Sequence, residues 1–306
     1  ATGRSSPAAG REIVLLGNPH SRETSARFGD VQRALEERGV RIAECHIAEG
    51  KALNKIARRG VKNGAPYIAI AGGDGSMTRA VEELAHSETA LGVIPMGTGN
   101  SFAQSLGIAK EIDTIADTIA FGDVRAVDVG TVNGLHFANF ATIGLSSVIA
   151  GTTPNFLKRI FGTAAYVLSG VVPALRSRAF QLELELDDDE KAFKGAVHQA
   201  IVASGRYFGD KPLLPKASVL SGRLAVFTTT SDGVPGIAHD FIAIALGKES
   251  SIPQAHWWTP KRVCVRAKPK QLVAIDGEVL CKTPADFRID RGALRVLVPT
   301  GFDGYP

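Results

Sequence analysis

The chain has 306 residues, of which 44% are hydrophobic and 22% charged, and its formal net charge is +4. This length and composition are typical of a folded protein with two ordinary domains, and they exclude an intrinsically disordered chain. The mild positive charge lacks the dense lysine and arginine clusters of nucleic-acid-binding proteins, but it is compatible with a nucleotide or an acidic membrane surface.

The first part of the sequence alternates short apolar runs with segments of helical periodicity. Strands are predicted at 13–17, 40–47, 67–71 and 91–95, and helices at 25–38, at 51–62, after 72–75 and after 96–100. Strands separated by helices predict a parallel sheet covered on both faces. We therefore expect an α/β domain over residues 1–126, in which residues 1–10 form a disordered tail without the apolar core of a signal peptide.

The pattern changes to that of an antiparallel β domain, which we expect over residues 127–306. Segments 127–132 and 135–140 flank Asn133-Gly134, a two-residue sequence typical of a β-hairpin turn. Further strands are predicted at 180–186, 197–203, 224–229, 263–267, 272–275 and 294–298. One helix is predicted at 164–175. This longest apolar stretch is too short to span a bilayer, so any membrane association is expected to be peripheral.

Three local features have competing interpretations. The acidic run at 187–190 could bind a cation, but its place between two strands favours a solvated hairpin tip. Trp257-Trp258 could face lipid, but adjacent strand residues point to opposite faces, which favours core packing. Three cysteines at positions 45, 264 and 281 form neither a disulfide framework nor a paired metal motif, and they predict a reducing, cytoplasmic compartment.

Two glycine loops, GGDGS at 72–76 and MGTGN at 96–100, follow consecutive predicted strands, and each opens a helix. Ligands of open α/β sheets gather at the carboxyl ends of strands, where glycine lets backbone N–H groups approach a phosphate. A carboxylate among phosphates, here Asp74, is expected to be a partner of Mg²⁺ or a proton acceptor. The alternative is that both loops are turns in which glycine serves backbone conformation alone.

Other phosphate and catalytic motifs do not occur in the sequence. It contains no GxxxxGK[ST] loop, no GxSxG nucleophile elbow and no HExxH zinc motif, and Phe102 occupies the position of the last glycine in GxGxxG. These exclusions leave the two glycine loops as the candidate nucleotide site.

Three segments, GGDGS at 72–76, GVIPMGTGNSFA at 92–103 and AIDGEVLCKTP at 274–284, resemble the signature segments of the diacylglycerol-kinase catalytic superfamily. Its members include bacterial lipid kinases and the sphingosine and ceramide kinases. Weaker similarities occur at Asn18-Pro19, at 162–166 and at 204–209, so the resemblance extends over nearly the whole chain. GGDG alone would also fit the related NAD kinases, whereas its combination with GTGN and a late DGE favours a lipid kinase.

The resemblance implies a nucleotide-binding α/β domain and a β-sandwich lipid-substrate domain, with the active site in the cleft between them. It implies transfer of the γ-phosphate of ATP, with Mg²⁺, to the hydroxyl of a membrane lipid such as diacylglycerol. It implies that Asp74 lies close to the metal of Mg-ATP and that Glu278 is the catalytic base. The residues implied to hold ATP are Asn18, Gly72, Gly73, Asp74, Gly75, Ser76, Met77, Thr78, Gly97, Thr98, Gly99 and Asn100.

The chain departs from the family pattern at acidic positions near nucleotide and metal. An aspartate common in bacterial members is Ser101 here, and the acidic residues that supply a structural Mg²⁺ site are replaced by Leu220-Ser221. A serine hydroxyl is a poor substitute for a carboxylate ligand, so we expect that structural metal site to be absent. The alternative to a kinase is a catalytically weak or silent module of the same fold. Asp74 and Glu278 argue for catalysis. The sequence leaves open the acceptor lipid, the nucleotide preference and whether the chain forms a homo-oligomer.

Overall fold

The structure, a computed structural model, divides the chain into two compact units. It describes residues 10–18, 22–97, 99–144, 178–187, 190–208, 211–212, 217–231, 235–236, 239–240, 243, 248, 251–276 and 278–304. One unit comprises the described residues through Val127 and those from Gly292 onward, and the other runs from Asp128 to Arg291. The predicted helix at 164–175 and nearly all of the predicted tail lie outside the described residues.

The first unit has the predicted alternation of strands and helices. Its elements are β1 (Glu12–Gly17), α1 (Arg22–Glu37), β2 (Arg41–Ile47), α2 (Gly50–Lys62), β3 (Tyr67–Gly72), α3 (Asp74–Leu84), β4 (Ala90–Pro95), α4 (Ser101–Ser105) and α5 (Ile112–Phe121). Strands pair in parallel in the order β2-β1-β3-β4, which confirms the predicted parallel sheet. Helix α5 was not predicted, although Ile115 and Ile119 are buried at helical spacing.

Helix α3 is fixed to the sheet by one apolar face, and this fixes the position of its first turn. Met77, Ala80, Val81 and Leu84 are buried at the i, i+3, i+4 and i+7 spacing of an amphipathic helix. Only Gly73 separates the end of β3 from the start of α3. The helix N-terminus therefore lies at the carboxyl end of the sheet, where open α/β folds bind ligands.

The second unit is antiparallel, as predicted. Its strands are β5 (Asp123–Val132), which begins in the first unit, β6 (Leu135–Phe137), β7 (Phe140–Gly144), β8 (Phe180–Leu186), β9 (Glu190–Val197), β10 (Gln199–Ala203), β11 (Tyr207–Phe208), β12 (Lys211–Pro212), β13 (Ala225–Thr229), β14 (Ala255–Trp258), β15 (Arg262–Lys268), β16 (Leu272–Ile275), β17 (Glu278–Lys282) and the start of β18 (Ala285–Val298). A six-stranded sheet has the order β14-β13-β10-β7-β16-β17. Its inner face shares one hydrophobic core with β8, β15 and β18, and this core makes the unit a sandwich.

Two local predictions about turns are confirmed. Asn133 and Gly134 both have positive φ, 49° and 85°, and join the paired strands β5 and β6. The described ends of the acidic run, Asp187 and Glu190, lie at the turn between β8 and β9, where Leu186 pairs with Glu190, and residues 188 and 189 lie outside the described residues. The carboxylate of Asp187 accepts hydrogen bonds from the backbone N–H groups of residues 261 and 262, at 2.7 and 2.9 Å.

The two adjacent tryptophans pack on opposite faces of the six-stranded sheet. Trp258 lies against the sandwich core, and Trp257 lies against a second apolar cluster with Phe227, at 4.6 Å between ring centroids. Both are half-buried. The prediction that they pack in the protein interior on opposite faces is confirmed.

The C-terminal segment returns to the first unit, which differs from the expected domain ranges of 1–126 and 127–306. Strand β18 pairs with β15 over its first part, with Arg288 opposite Arg262, and with β4 near its end, where Val296 is opposite Leu91. Gly292, with φ of 59°, lies where the strand passes from one unit to the other. The buried positions of β18 are interrupted by the exposed residues Arg291 and Gly292, so the sequence predicted a strand only at 294–298 and did not indicate the change of partners.

Candidate active site

The two predicted phosphate loops touch at the carboxyl ends of β3 and β4. A Cβ atom added to Gly97 would lie 2.6 Å from the Cα atom of Gly73, and one added to Gly73 would lie 3.1 Å from the Cα of Gly97. The N–H of Met96 donates to the carbonyl of Gly72 at 2.9 Å. The close backbone approach therefore requires glycine at 97 and favours it at 73, and it places both loops at one point of the sheet.

Asn18 connects the end of β1 to the first loop. Its N–H donates to the carbonyl of Ala71 at 3.0 Å, and its side-chain Nδ2 donates to Ser76 Oγ at 3.0 Å. A Cβ atom on Gly72 would lie 2.5 Å from that same hydroxyl oxygen. The structure thus brings together three of the residues expected to hold ATP: Asn18, Gly72 and Ser76.

Asn100 shapes the second loop from within. It adopts the left-handed conformation, with φ of 55°, and is 3% exposed. Its Oδ1 accepts a hydrogen bond from the N–H of Gly97 at 2.8 Å, and its Nδ2 donates to the carbonyl of Gly97 at 2.7 Å. The side chain of Asn100, which was expected to contact ATP, therefore uses its amide group for hydrogen bonds to the backbone of its own loop. Thr98 lies outside the described residues.

Asp74 is the first residue of α3 and connects the two loops through its carboxylate. Oδ1 accepts a hydrogen bond from the N–H of Phe102 at 3.1 Å, and Oδ2 accepts one from the hydroxyl of Ser101 at 3.4 Å. Burial of the carboxyl raises the pKa of Asp74, and the hydrogen bonds from Phe102 and Ser101 oppose that rise. The carboxylate of Asp74 is thus shielded from bulk water at the point where the two loops meet.

Ser101, which departs from the family pattern, donates to Asp74 instead of repelling it. An aspartate at 101 would place a second carboxylate against Asp74, an arrangement that needs a bridging cation or a shared proton. The serine hydroxyl supplies a hydrogen bond in its place. The sequence shows that position 101 lacks the acidic residue of the family pattern. Only the structure shows that the serine hydroxyl found there stabilises the carboxylate of Asp74.

Other members of the first loop have limited access to a ligand. Met77 is 2% exposed and packs in the core, so a contact between this residue and a nucleotide would have to come from its backbone. Thr78 Oγ1 donates to the carbonyl of Asp74 at 3.1 Å within α3. Gly75, in contrast, is exposed at the first turn of the helix. Any contact with phosphate at this helix therefore depends on backbone groups around Gly75 more than on side chains.

Glu278 begins β17 in the second unit, opposite Ile275 of β16, and its side chain is exposed. The nearby Asp276 has a positive φ of 45° and points back into the unit. Its carboxylate accepts three hydrogen bonds from the backbone N–H groups of Ala138, Asn139 and Phe140, at 2.9, 3.2 and 3.0 Å. The chain just before Glu278 is therefore tied to the turn between β6 and β7, a role for Asp276 that sequence reasoning missed.

The loop that replaces the family's structural metal site is closed by its own hydrogen bonds. Ser221 Oγ donates to the carbonyl of Ser218 at 2.9 Å and accepts from the N–H of Arg223 at 3.2 Å. Asp128 accepts from the N–H of Gly222 at 2.6 Å. A hydroxyl used in this way does not fit the role of a hard-cation ligand, so no step of the chemistry is assigned to a metal here.

Thiol chemistry receives no support from the described residues. The three cysteines are free thiols, and burial raises the pKa of each of them, which disfavours the reactive thiolate. Within the part of the chain that the structure describes, no helix combines the length and the apolarity that a membrane crossing requires.

Comparison with known proteins gives matches over nearly the whole chain. Residues 12–132 match the diacylglycerol kinase catalytic domain, and residues 140–298 match the YegS C-terminal NAD kinase beta sandwich-like domain. A diacylglycerol kinase of Bacillus subtilis is 30% identical, over 92% of this chain and 90% of that protein. The chain belongs to the diacylglycerol kinase family. It is therefore a lipid kinase with ATP as phosphate donor, as the resemblance predicted.

Further relatives match nearly the whole length of this lipid kinase. A YegS-like lipid kinase of Pseudomonas aeruginosa is 30% identical over 94% of both chains, and a diacylglycerol kinase of Staphylococcus saprophyticus is 26% identical over 96% of this one and 93% of that one. A crystal structure of a diacylglycerol kinase from Bacillus anthracis has a TM-score of 0.73 at 21% identity, with 95% of this chain and 98% of that chain covered. The structural likeness confirms the predicted fold of the kinase.

Proposed function

We propose that this kinase transfers the γ-phosphate of Mg-ATP to the hydroxyl of a membrane lipid at the membrane surface, with diacylglycerol as the leading acceptor. Relatives that match nearly the whole chain are named diacylglycerol kinases, and this supports the choice of acceptor. The observation that carries the proposal is the contact between the two glycine loops, with Asp74 at their junction.

The first unit supplies the nucleotide site in this proposal. Helix α3 is 11 residues long, and its N-terminus presents the positive end of the helix dipole and its first backbone N–H groups beside Gly73 and Gly75. Mg²⁺ in kinases is held by one or two carboxylates together with the phosphates themselves. The single carboxylate of Asp74 fits that requirement, and the metal would neutralise charge on the transferred group.

The second unit supplies the proton acceptor. An alcohol is a poor nucleophile unless a base receives its proton as the bond to phosphorus forms, and a positioned carboxylate typically contributes about 10²–10⁴-fold. Glu278 is exposed, so it can reach a hydroxyl that arrives from outside the protein. Asp276 is its positioning residue, because the three backbone bonds to Asp276 restrict the turn from which Glu278 projects.

Replacing Asp276 with alanine is expected to lower kcat by about tenfold or more, with a smaller change in the KM for ATP, because Glu278 loses its fixed orientation. The same change leaves three backbone N–H groups without their carboxylate, so the melting temperature should also fall. Steady-state kinetics and thermal unfolding measure both effects. The matched variant Asp276→Asn keeps one acceptor oxygen and should recover part of the rate. If Asp276→Ala melts lower but turns over normally, the residue is structural and does not position the base.

The direct test is transfer of labelled γ-phosphate from Mg-ATP to a panel of lipids in mixed micelles: diacylglycerol, ceramide, a sphingoid base and phosphatidylglycerol. Label in diacylglycerol above all others is the expected result, and it should be lost with Glu278→Gln. Label in another lipid would correct the acceptor while keeping the reaction. No label in any lipid, with ATP still bound, would favour the catalytically silent module, which the replaced acids at 101 and 221 also permit.

A further inference from the structure

The β16–β17 hairpin of the second unit carries a bulge that exposes apolar side chains. Val273 is opposite Cys281, but Ala274 is opposite Val279, so Leu280 is the extra residue of a β-bulge. Strand β17 is the last in the order of its sheet. Val279 and Leu280 are 37% and 49% exposed. Adjacent exposed aliphatic residues on an edge strand are a feature that water-facing sheet edges normally avoid.

Lysines surround one end of this hairpin. Lys268 ends β15, Lys270 precedes β16 and Lys282 ends β17, and all three are exposed. Lys270 and Lys282 lie at the same end because β16 begins opposite the point where β17 finishes. The two acidic residues of the segment are elsewhere: Asp276 is bonded to backbone N–H groups, and Glu278 lies at the opposite end. An anionic surface would complement this arrangement of charge.

We propose that the β16–β17 hairpin is the membrane contact of this kinase. Val279 and Leu280 enter the headgroup region of the bilayer, and Lys268, Lys270 and Lys282 pair with the phosphates of anionic lipids. The inference rests on the proposed function, because Glu278 is the residue that meets the lipid hydroxyl.

The position of the acceptor hydroxyl explains why the apolar pair adjoins the proposed base. The hydroxyl of an amphiphile lies at the boundary between headgroups and acyl chains, so a base that reaches it has to approach that boundary. Val279 and Leu280 directly follow Glu278 in the chain. At that depth the apolar part of the bilayer would bury Val279 and Leu280, the two side chains that the bulge exposes to water.

Vesicle co-flotation without ATP tests this contact separately from catalysis. The vesicles are phosphatidylcholine with and without phosphatidylglycerol. The double variant Val279→Thr with Leu280→Gln should lose about tenfold in partitioning onto both kinds of vesicle, because less apolar surface enters the interface. The triple variant Lys268→Gln, Lys270→Gln and Lys282→Gln should lose about 100-fold on the anionic vesicles, and little on the neutral ones.

Matched controls lie on other secondary-structure elements. Lys51, Lys55 and Lys62 are exposed on α2, and changing all three to glutamine removes the same charge from the first unit. Leu135, 42% exposed on β6, matches Leu280 in exposure. The α2 triple variant and Leu135→Gln should bind vesicles like the wild type. Thermal unfolding of every variant verifies that a loss of binding is not a loss of fold.

Several results would overturn the hairpin as the contact. These are wild-type binding by both hairpin variants, no binding of the wild type to anionic vesicles, or equal losses in the α2 control, which would indicate general charge attraction. Normal vesicle binding combined with a raised KM for a detergent-dispersed, short-chain lipid would instead place Val279 and Leu280 around a single acceptor molecule. Because binding is measured without ATP, normal vesicle binding without phosphate transfer would count against the proposed function and not against the hairpin.

Discussion

Replacing Glu278 with glutamine is expected to lower kcat by about two decades or more while Mg-ATP binding stays nearly unchanged. Glutamine has the size of glutamate but cannot take a proton from the lipid hydroxyl. The side chain is exposed at the start of β17, so the change should leave folding stability within about 0.5 kcal/mol of the wild type. Steady-state kinetics with lipid in mixed micelles and calorimetric titration of ATP give the two quantities.

A matched control separates loss of the base from loss of charge. Glu183 on β8 is a strand carboxylate of the same unit, half-buried and 4.0 Å from Lys194 Nζ. Glu183→Gln removes the same charge and should leave kcat within about twofold of the wild type, because a weak surface pair contributes little. Unchanged turnover in Glu278→Gln would remove Glu278 from the mechanism.

Replacing Asp74 with asparagine is expected to reduce kcat/KM for Mg-ATP by about a hundredfold or more and to raise the Mg²⁺ concentration needed for activity. Asparagine keeps an oxygen that can accept from the N–H of Phe102, so the junction of the loops should persist. The lost negative charge is the one that would face the metal. Initial rates over a Mg²⁺ titration at fixed ATP measure the effect.

The control for this prediction is Ser101→Ala, which removes the hydrogen bond to Asp74 Oδ2 and leaves the carboxylate in place. It should lower kcat/KM by less than about tenfold, since one hydrogen bond contributes about 0.5–1.5 kcal/mol. If Asp74→Asn changes neither the Mg²⁺ requirement nor the rate, Asp74 serves only to join α3 and α4, and the phosphate assignment is wrong.

Much of the fold could be predicted from the sequence, because its signals are local. The four parallel strands follow from apolar runs separated by helical periodicity, and the turn at Asn133-Gly134 follows from the residue types that accept positive φ. The place of Asp74 at the start of a helix follows from the glycine loop before it. Each of these inferences depends on residues within one or two turns of one another.

Features that depend on distant partners could not be predicted. Asp276 accepts its hydrogen bonds from Ala138, Asn139 and Phe140, which are more than 130 positions earlier in the sequence (136 to 138 positions). Strand β18 pairs with β15 over its first part and with β4 near its end, and these two partners lie far apart in the sequence. Asn100 and Met77 carried the expected residue types for a nucleotide loop, but packing turned the first onto the backbone of its own loop and the second into the core.

The sequence by itself determined the order of the elements, the two glycine loops and the carboxylates at 74 and 278. Backbone preference and hydrophobic periodicity depend on short stretches of neighbouring residues, so the sequence alone reveals them. The tertiary structure decided how the carboxylate at 74 is held, which loop side chains can reach a ligand, and that a bulge exposes Val279 and Leu280 near Glu278. Those outcomes depend on burial and on hydrogen bonds between segments far apart in the chain, which only the packed structure specifies.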